Sequence, residues 1–177
     1  MRFTLYWDHR SPPGLQLPVQ RAIEGILGVD GALLGTDRLM LTGFDLVRRQ
    51  YNAEVLLSRL DAVRRRRGGC NPLLLVIPDD IFVQREEFVY GLAHPGFGTA
   101  IVSTARLTNE FYGRRPCEDD LVDRIAKEGA HEIGHLLGLP HCPDRECVMF
   151  APHSFDELDR KRKMVCPACT ARLRIGA

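Results

Sequence analysis

Residues 131 to 141 read His131-Glu132-Ile133-Gly134-His135-Leu136-Leu137-Gly138-Leu139-Pro140-His141. Residues four apart on a helix share a face, so His131 and His135 can offer two imidazoles to one cation while Glu132 flanks it without having to bind. Gly138 takes a positive φ at little cost and turns the chain, returning His141 as a third nitrogen ligand. Three neutral imidazoles around zinc leave a fourth position for water, and a carboxylate beside that water is a general base; together they are equipped for hydrolysis. At this chain's own residue frequencies the five-position pattern arises by chance with a probability of roughly a few in 10⁵. The plainer reading, two half-buried helix histidines with ordinary hydrogen bonds, leaves Gly138 and His141 as coincidences.

A second constellation follows at once. Cys142 and Cys147 have four residues between them, Cys166 and Cys169 two, spacings that let each pair of thiolates converge on a tetrahedral ion. Four sulfur ligands close a zinc site to water, so this one is structural, contributing folding energy to about the last 40 residues, where Pro, Cys and charged residues replace long apolar runs. Two other readings stay open. Cys166-Pro167-Ala168-Cys169 has the spacing of a redox pair, although no thioredoxin-like βαβ context adjoins it, and two disulfides would require an oxidising compartment. On the metal reading the adjacent His141 and Cys142 serve different ions, because neighbouring side chains in an extended turn diverge. Cys70 and Cys117 stand apart and read as ordinary thiols.

These residues need elements to position them. Leu121, Val122, Ile125, Ala126, Ile133, Leu136 and Leu137 recur at helical spacing, which predicts a helix over Asp120 to Leu139 with Gly138 as its stop. Pro72 to Pro78 encloses five consecutive aliphatics, the signature of a central strand buried on both faces. Phe3, Leu5 and Trp7 alternate in a half-buried first strand, Arg2 to Trp7. Pro18 suits the first turn of a helix that ends at Gly28, and the stretch Val29 to Leu41 holds one more strand. A second helix opens near Asn52, with Val55, Leu56, Leu60 and Val63 on one face, and runs to the arginines Arg64 to Arg67. Phe88 to Ala93 and Thr99 to Leu107 read as strands around the turn 94–98, and Ser154 with Glu157 forms a capping box for a helix over Phe155 to Met164.

His131, Glu132, His135, Gly138 and His141, with Met149 downstream, resemble the metzincin clan of zinc metallopeptidases, in which Met149 would correspond to the Met-turn beneath the metal. Within the clan the chain is similar to the archaemetzincins. Cys142 directly after the third histidine, Cys147, Met149 and the pair Cys166 and Cys169 carry that match, and Gln50-Tyr51-Asn52-Ala53, Ser103 and Arg106-Leu107 accord with it. The resemblance implies an α/β, metzincin-like domain. Its upper subdomain, about residues 1–138, would hold a mixed twisted β-sheet with helices and the active-site zinc helix; its lower one, about residues 139–177, would be small, mostly helical and stapled by zinc. Two zinc ions per chain are expected: a catalytic one on His131, His135 and His141 beside the base Glu132, and a structural one on Cys142, Cys147, Cys166 and Cys169. The resemblance further implies a peptide substrate added as a strand to an exposed sheet edge, with Thr99 to Leu107 or the loop before it as candidates, and aminopeptidase-like action on short peptides. Some metzincins use a tyrosine after the Met-turn to hold the transition state. No tyrosine follows Tyr112 here, so either Glu132 and the zinc carry the charge unaided or a group elsewhere, an arginine or His153, assists, with His153 reading first as a solvated loop residue. A catalytically quiet, zinc-containing peptide-binding module is the alternative that the same residues allow.

Composition bounds the rest. At 177 residues and 20.0 kDa the chain suits one domain. A net charge of +1 gives no reason to expect nucleic acid, and Arg64 to Arg67, without interleaved aromatics, read as a solvated helix end favoured by the macrodipole. No stretch approaches 18 apolar residues and no secretory segment is evident, so no membrane association, a cytoplasmic location and a monomer are expected.

Overall fold

In the computed structural model, which describes residues 1–34, 40–66 and 68–175, every side chain of Leu73–Ile77 is buried. The five alternate between two apolar clusters: Leu74 and Val76 join one, while Leu73, Leu75 and Ile77 join the other. This is the period of two expected of a strand covered on both faces. Its neighbours in the sheet divide the same way. Phe3, Leu5 and Trp7 of the first strand lie in one cluster and Tyr6 in the other, and Ala100 and Val102 face away from Ile101.

The elements run β1 (Arg2–Trp7), α1 (Gln16–Leu27), β2 (Asp30–Leu33), β3 (Phe44–Asp45), β4 (Gln50–Asn52), α2 (Ala53–Arg66), β5 (Leu73–Ile77), β6 (Ile81–Phe82), β7 (Gly91–His94), β8 (Thr99–Ser103), α3 (Glu118–Leu136), α4 (Phe155–Arg160) and α5 (Pro167–Ile175), with a 3₁₀ turn at Glu110–Tyr112 before α3. The main sheet has the order β2-β1-β5-β8-β7; β7 is antiparallel and the rest are parallel. α1 and α3 cover one face and α2 the other. A second, three-stranded sheet orders β3-β4-β6. No helix among the described residues is long and apolar enough to cross a membrane.

The mixed α/β architecture is the expected one, with several boundaries displaced. The second helix was expected to open near Asn52; Gln50 to Asn52 pair as a strand with β3 and β6 before α2 begins at Ala53. The strand expected within Val29 to Leu41 is β2, and residues 35–39 of that stretch lie outside the described residues, as does Arg67. Arg64, Arg65 and Arg66 sit in the last turn of α2, where Arg65 and Arg66 are exposed, and Arg64 and Arg65 both pair with Asp61 one turn earlier. The helix expected over Phe155 to Met164 is capped by Ser154, whose Oγ accepts from the Glu157 N–H, yet stops at Arg160. Beyond it the chain extends so that Arg162 donates to the Glu146 carbonyl and Met164 accepts from the Val148 N–H, pairings a continued helix would forfeit.

One correction bears on the site. Of the two candidates for the exposed edge, Thr99 to Leu107 and the loop before it, the first is excluded. Thr99–Ser103 lies between β5 and β7 with every residue buried, and the edge belongs to β7.

Candidate metal centres and active-site cleft

α3 carries three acidic residues, Glu118, Asp119 and Asp120, in its first turn, where they favour the helix dipole, and it brings His131 and His135 to the floor of a cleft. At its end Gly138 sits at φ +87°, and the Leu139 N–H reaches back 2.9 Å to the Gly134 carbonyl. That reversal swings His141 over the helix, its ring centroid 4.8 Å from His135 and 5.3 Å from His131. The three rings offer nitrogens that all lie within 4.8 Å of one another.

Hydrogen bonds fix how these rings present themselves. His131 Nδ1 lies 2.9 Å from the Val148 carbonyl and His135 Nδ1 2.8 Å from the Leu139 carbonyl. A carbonyl only accepts, so each ring carries its proton on Nδ1 and leaves Nε2 bare. Burial pushes the His131 imidazole down to about 4 and lowers that of His135, so neither takes a second proton near neutrality. The two Nε2 atoms nevertheless face each other at 3.1 Å. Two lone pairs at that distance repel unless a cation stands between them. Tetrahedral zinc with nitrogens at 2.0–2.1 Å would set them about 3.3 Å apart, so the donor set fits that ion.

Met149 supports this floor from below. It is fully buried, and its sulfur lies against Gly134, where any β-carbon would collide with it. Glu132, 5% exposed, turns towards the edge strand. A β-carbon on Gly91 would sit 2.8 Å from Glu132 Oε1 and 2.9 Å from its Cγ, so only glycine lets the carboxyl occupy this place. Neither carboxyl oxygen has a donor among the described residues, and neither is sealed from solvent, so both open into the cleft. Burial raises the Glu132 carboxyl well above the usual carboxylate range, the nearby Glu128 charge raises it further, and Lys161 opposes.

The cleft measures about 1030 Å³. Its roof is β7 and the residues before it, its floor α3, and its far wall the turn from Gly138 to His141 with residues 151–153. His153 is thus on the wall, its backbone N–H held 2.8 Å from Glu157 Oε2.

The cysteines meet as two crossed pairs. Cys142 Sγ is 3.7 Å from Cys166 Sγ and Cys147 Sγ 3.8 Å from Cys169 Sγ, with all four within 4.8 Å of one another. These are not disulfides; all six cysteines are free. Sulfurs at 2.3 Å from a tetrahedral zinc would be about 3.8 Å apart, which the separations match. The Cys166 N–H donates to Cys147 Sγ at 3.3 Å, which partly offsets the upward push that burial gives the Cys147 thiol. Cys142 also donates its N–H to the Met149 carbonyl, tying the cysteine cluster to the residue beneath the histidines.

The structure therefore gathers the seven expected ligands into two groups and places Glu132 and Met149 beside the first, while Cys70 and Cys117 remain exposed and apart from both. Sequence reasoning missed Gly91 and Glu128. Gly91 carries no local signal because its role depends on a strand and a helix distant in the chain. Glu128 could have been noticed as the cleft-facing position one turn before Glu132.

The profile of peptidase family M54 matches residues 31–175. An archaemetzincin of Pyrococcus furiosus is 39% identical over 135 residues, covering 75% of this chain and 70% of that one. Among solved structures, a zinc-dependent peptidase from Methanocorpusculum labreanum superposes with a TM-score of 0.92 at 42% identity, covering 97% of this chain and 99% of the other. An archaemetzincin from Methanopyrus kandleri does so with 0.84 at 32%, covering 99% and 94%. On the family match and these identities, the chain belongs to peptidase family M54, the archaemetzincins.

Proposed function

We propose that this chain hydrolyses peptide bonds with zinc on His131, His135 and His141 and with Glu132 as general base, and that a second zinc on Cys142, Cys147, Cys166 and Cys169 is structural. The observation that carries this reading is the pair of bare Nε2 atoms facing each other at 3.1 Å, beside a carboxyl that opens to the same cleft without a protein partner. A zinc ion bound there supplies Lewis acidity, lowering the pKa of a water towards neutrality and polarising the scissile carbonyl.

The protein's own groups do the rest. The Val148 and Leu139 carbonyls hold two imidazoles in the ligating tautomer. Glu132, raised by burial, takes a proton from the attacking water and passes it to the leaving nitrogen. The free edge of β7 offers backbone groups to an extended peptide, which fits strand addition onto Gly91–His94. The chain then works as a single metzincin-like domain, with an upper part of about residues 1–138 and a lower part of about 139–177 enclosing the cleft. An aminopeptidase-like preference for short peptides is part of the same proposal.

The test is zinc analysis together with cleavage of a fluorogenic peptide library by the wild type and Glu132→Gln. Two zinc ions per chain are expected in both proteins, chelator-sensitive cleavage in the wild type, and a loss of at least about 10³-fold in the variant. Full activity in Glu132→Gln would refute the base assignment.

A further inference from the structure

Among the described residues, those that line the cleft include four carboxyl groups, Glu86, Glu87, Glu128 and Glu132, and no lysine or arginine. In a chain with 24 lysines and arginines this is a marked local bias. A concave surface of one sign concentrates ligands of the other.

Glu128 is placed to use that bias. It lies three and four residues before His131 and Glu132, about one helical turn of 5.4 Å away along the same cleft. It is 3% exposed, and one oxygen accepts from Lys161 Nζ at 3.2 Å, where the Lys161 side chain is completely buried. Its second oxygen has no donor among the described residues. That oxygen is not sealed from solvent either, so it opens onto the cavity that Glu128 lines. The ion pair fixes the carboxylate from behind and leaves one acceptor facing the substrate, which is the preorganisation a specificity group requires.

Building on the peptidase reading, we propose that Glu128 is the specificity-determining carboxylate of this cleft and receives an ammonium group on the residue whose carbonyl is cleaved. A free α-amino group lies only two bonds from that carbonyl and can reach one helical turn back along the cleft while the carbonyl stays at the histidines. A lysine side chain in the same residue presents the same cation at longer reach.

The experiment measures binding rather than turnover. Zinc-loaded Glu132→Gln and zinc-loaded Glu132→Gln/Glu128→Gln are titrated by calorimetry with trialanine amide, with its N-acetylated form, and with N-acetylated peptides carrying lysine or norleucine first. In the parent a free amino terminus or a lysine is expected to bind at least tenfold more tightly than its neutral counterpart, and that ratio should fall to about one in the second protein. The first pair of peptides isolates the α-amino group and the second the side chain, so preference in either, lost with Glu128, supports the proposal. If Glu128→Gln with Lys161 left unpaired does not fold, Glu128→Gln/Lys161→Met removes both charges together and takes its place. Binding of all four peptides with no preference for an ammonium overturns the role of Glu128 alone, as does a preference that survives the substitution. Failure of every peptide to bind overturns the peptidase reading along with it.

Discussion

Replacing Gly91 with alanine should separate the base from the metal. The added methyl would stand 2.8 Å from Glu132 Oε1, 2.9 Å from its Cγ and 3.0 Å from the Ile101 carbonyl oxygen. The Ile101 contact is backbone of a buried strand and cannot yield, so the Glu132 carboxyl must retreat by roughly 0.6 Å to reach ordinary contact. A displacement of 1 Å costs a reaction about 100-fold, so kcat should fall by about 10- to 30-fold, or roughly 1.4–2 kcal/mol of barrier. The histidines are not touched, and zinc content should stay at the wild-type value. Stability should fall by roughly 0–2.5 kcal/mol. Alanine in a strand gains roughly 0.5–1 kcal/mol over glycine, against about 1–3 kcal/mol for overpacking. The assay is kcat on a fluorogenic peptide, with zinc per chain and urea midpoint measured on the same preparation. Wild-type kcat at full zinc would show that the position of Glu132 is not critical, and loss of zinc would show that Gly91 supports the metal site instead.

Two other perturbations follow from the geometry. Cys169→Ser should leave one zinc per chain rather than two and lower Tm on the order of 10 °C, because a three-ligand site forfeits much of the folding free energy of the C-terminal segment; unchanged zinc and Tm would contradict the structural assignment. With metal removed from the histidine site, His131 should make stability depend on pH. Its folded value of about 4 lies below the 6.5 of an unperturbed imidazole, so between the two the unfolded chain binds the extra proton. Stability is then complete above about 6.5 and lost as pH falls towards 4, by about 3 kcal/mol. Glu132, raised by burial, works with the opposite sign, so the measurement belongs in Glu132→Gln, comparing urea midpoints at neutral and mildly acid pH; a flat profile would contradict the burial argument.

The two groups that could hold a metal ion were legible because their chemistry is written in short spacings. His131 and His135 share a helix face by the geometry of the helix itself, and the positive φ at Gly138 is what a glycine after the last turn leads one to expect. The all-aliphatic run of β5 likewise declared itself as a strand buried on both faces. The end of α4 was not legible. Its capping box marks the start, but the stop at Arg160 is imposed by the pairing of residues 162–164 with 146–148 and by the burial of Lys161 against Glu128. The two-residue strands β3 and β6 carry too few side chains to show any period.

The sequence by itself thus determined which atoms can ligate and which carboxylate stands beside them, since one helix and one turn suffice to bring those groups together. Only the tertiary structure decided that β7 rather than β8 is the open edge, that Gly91 makes room for Glu132, and that Glu128 turns an oxygen towards the cleft. Strand order and close packing arise between segments tens of residues apart, where no local periodicity records which partner each will meet.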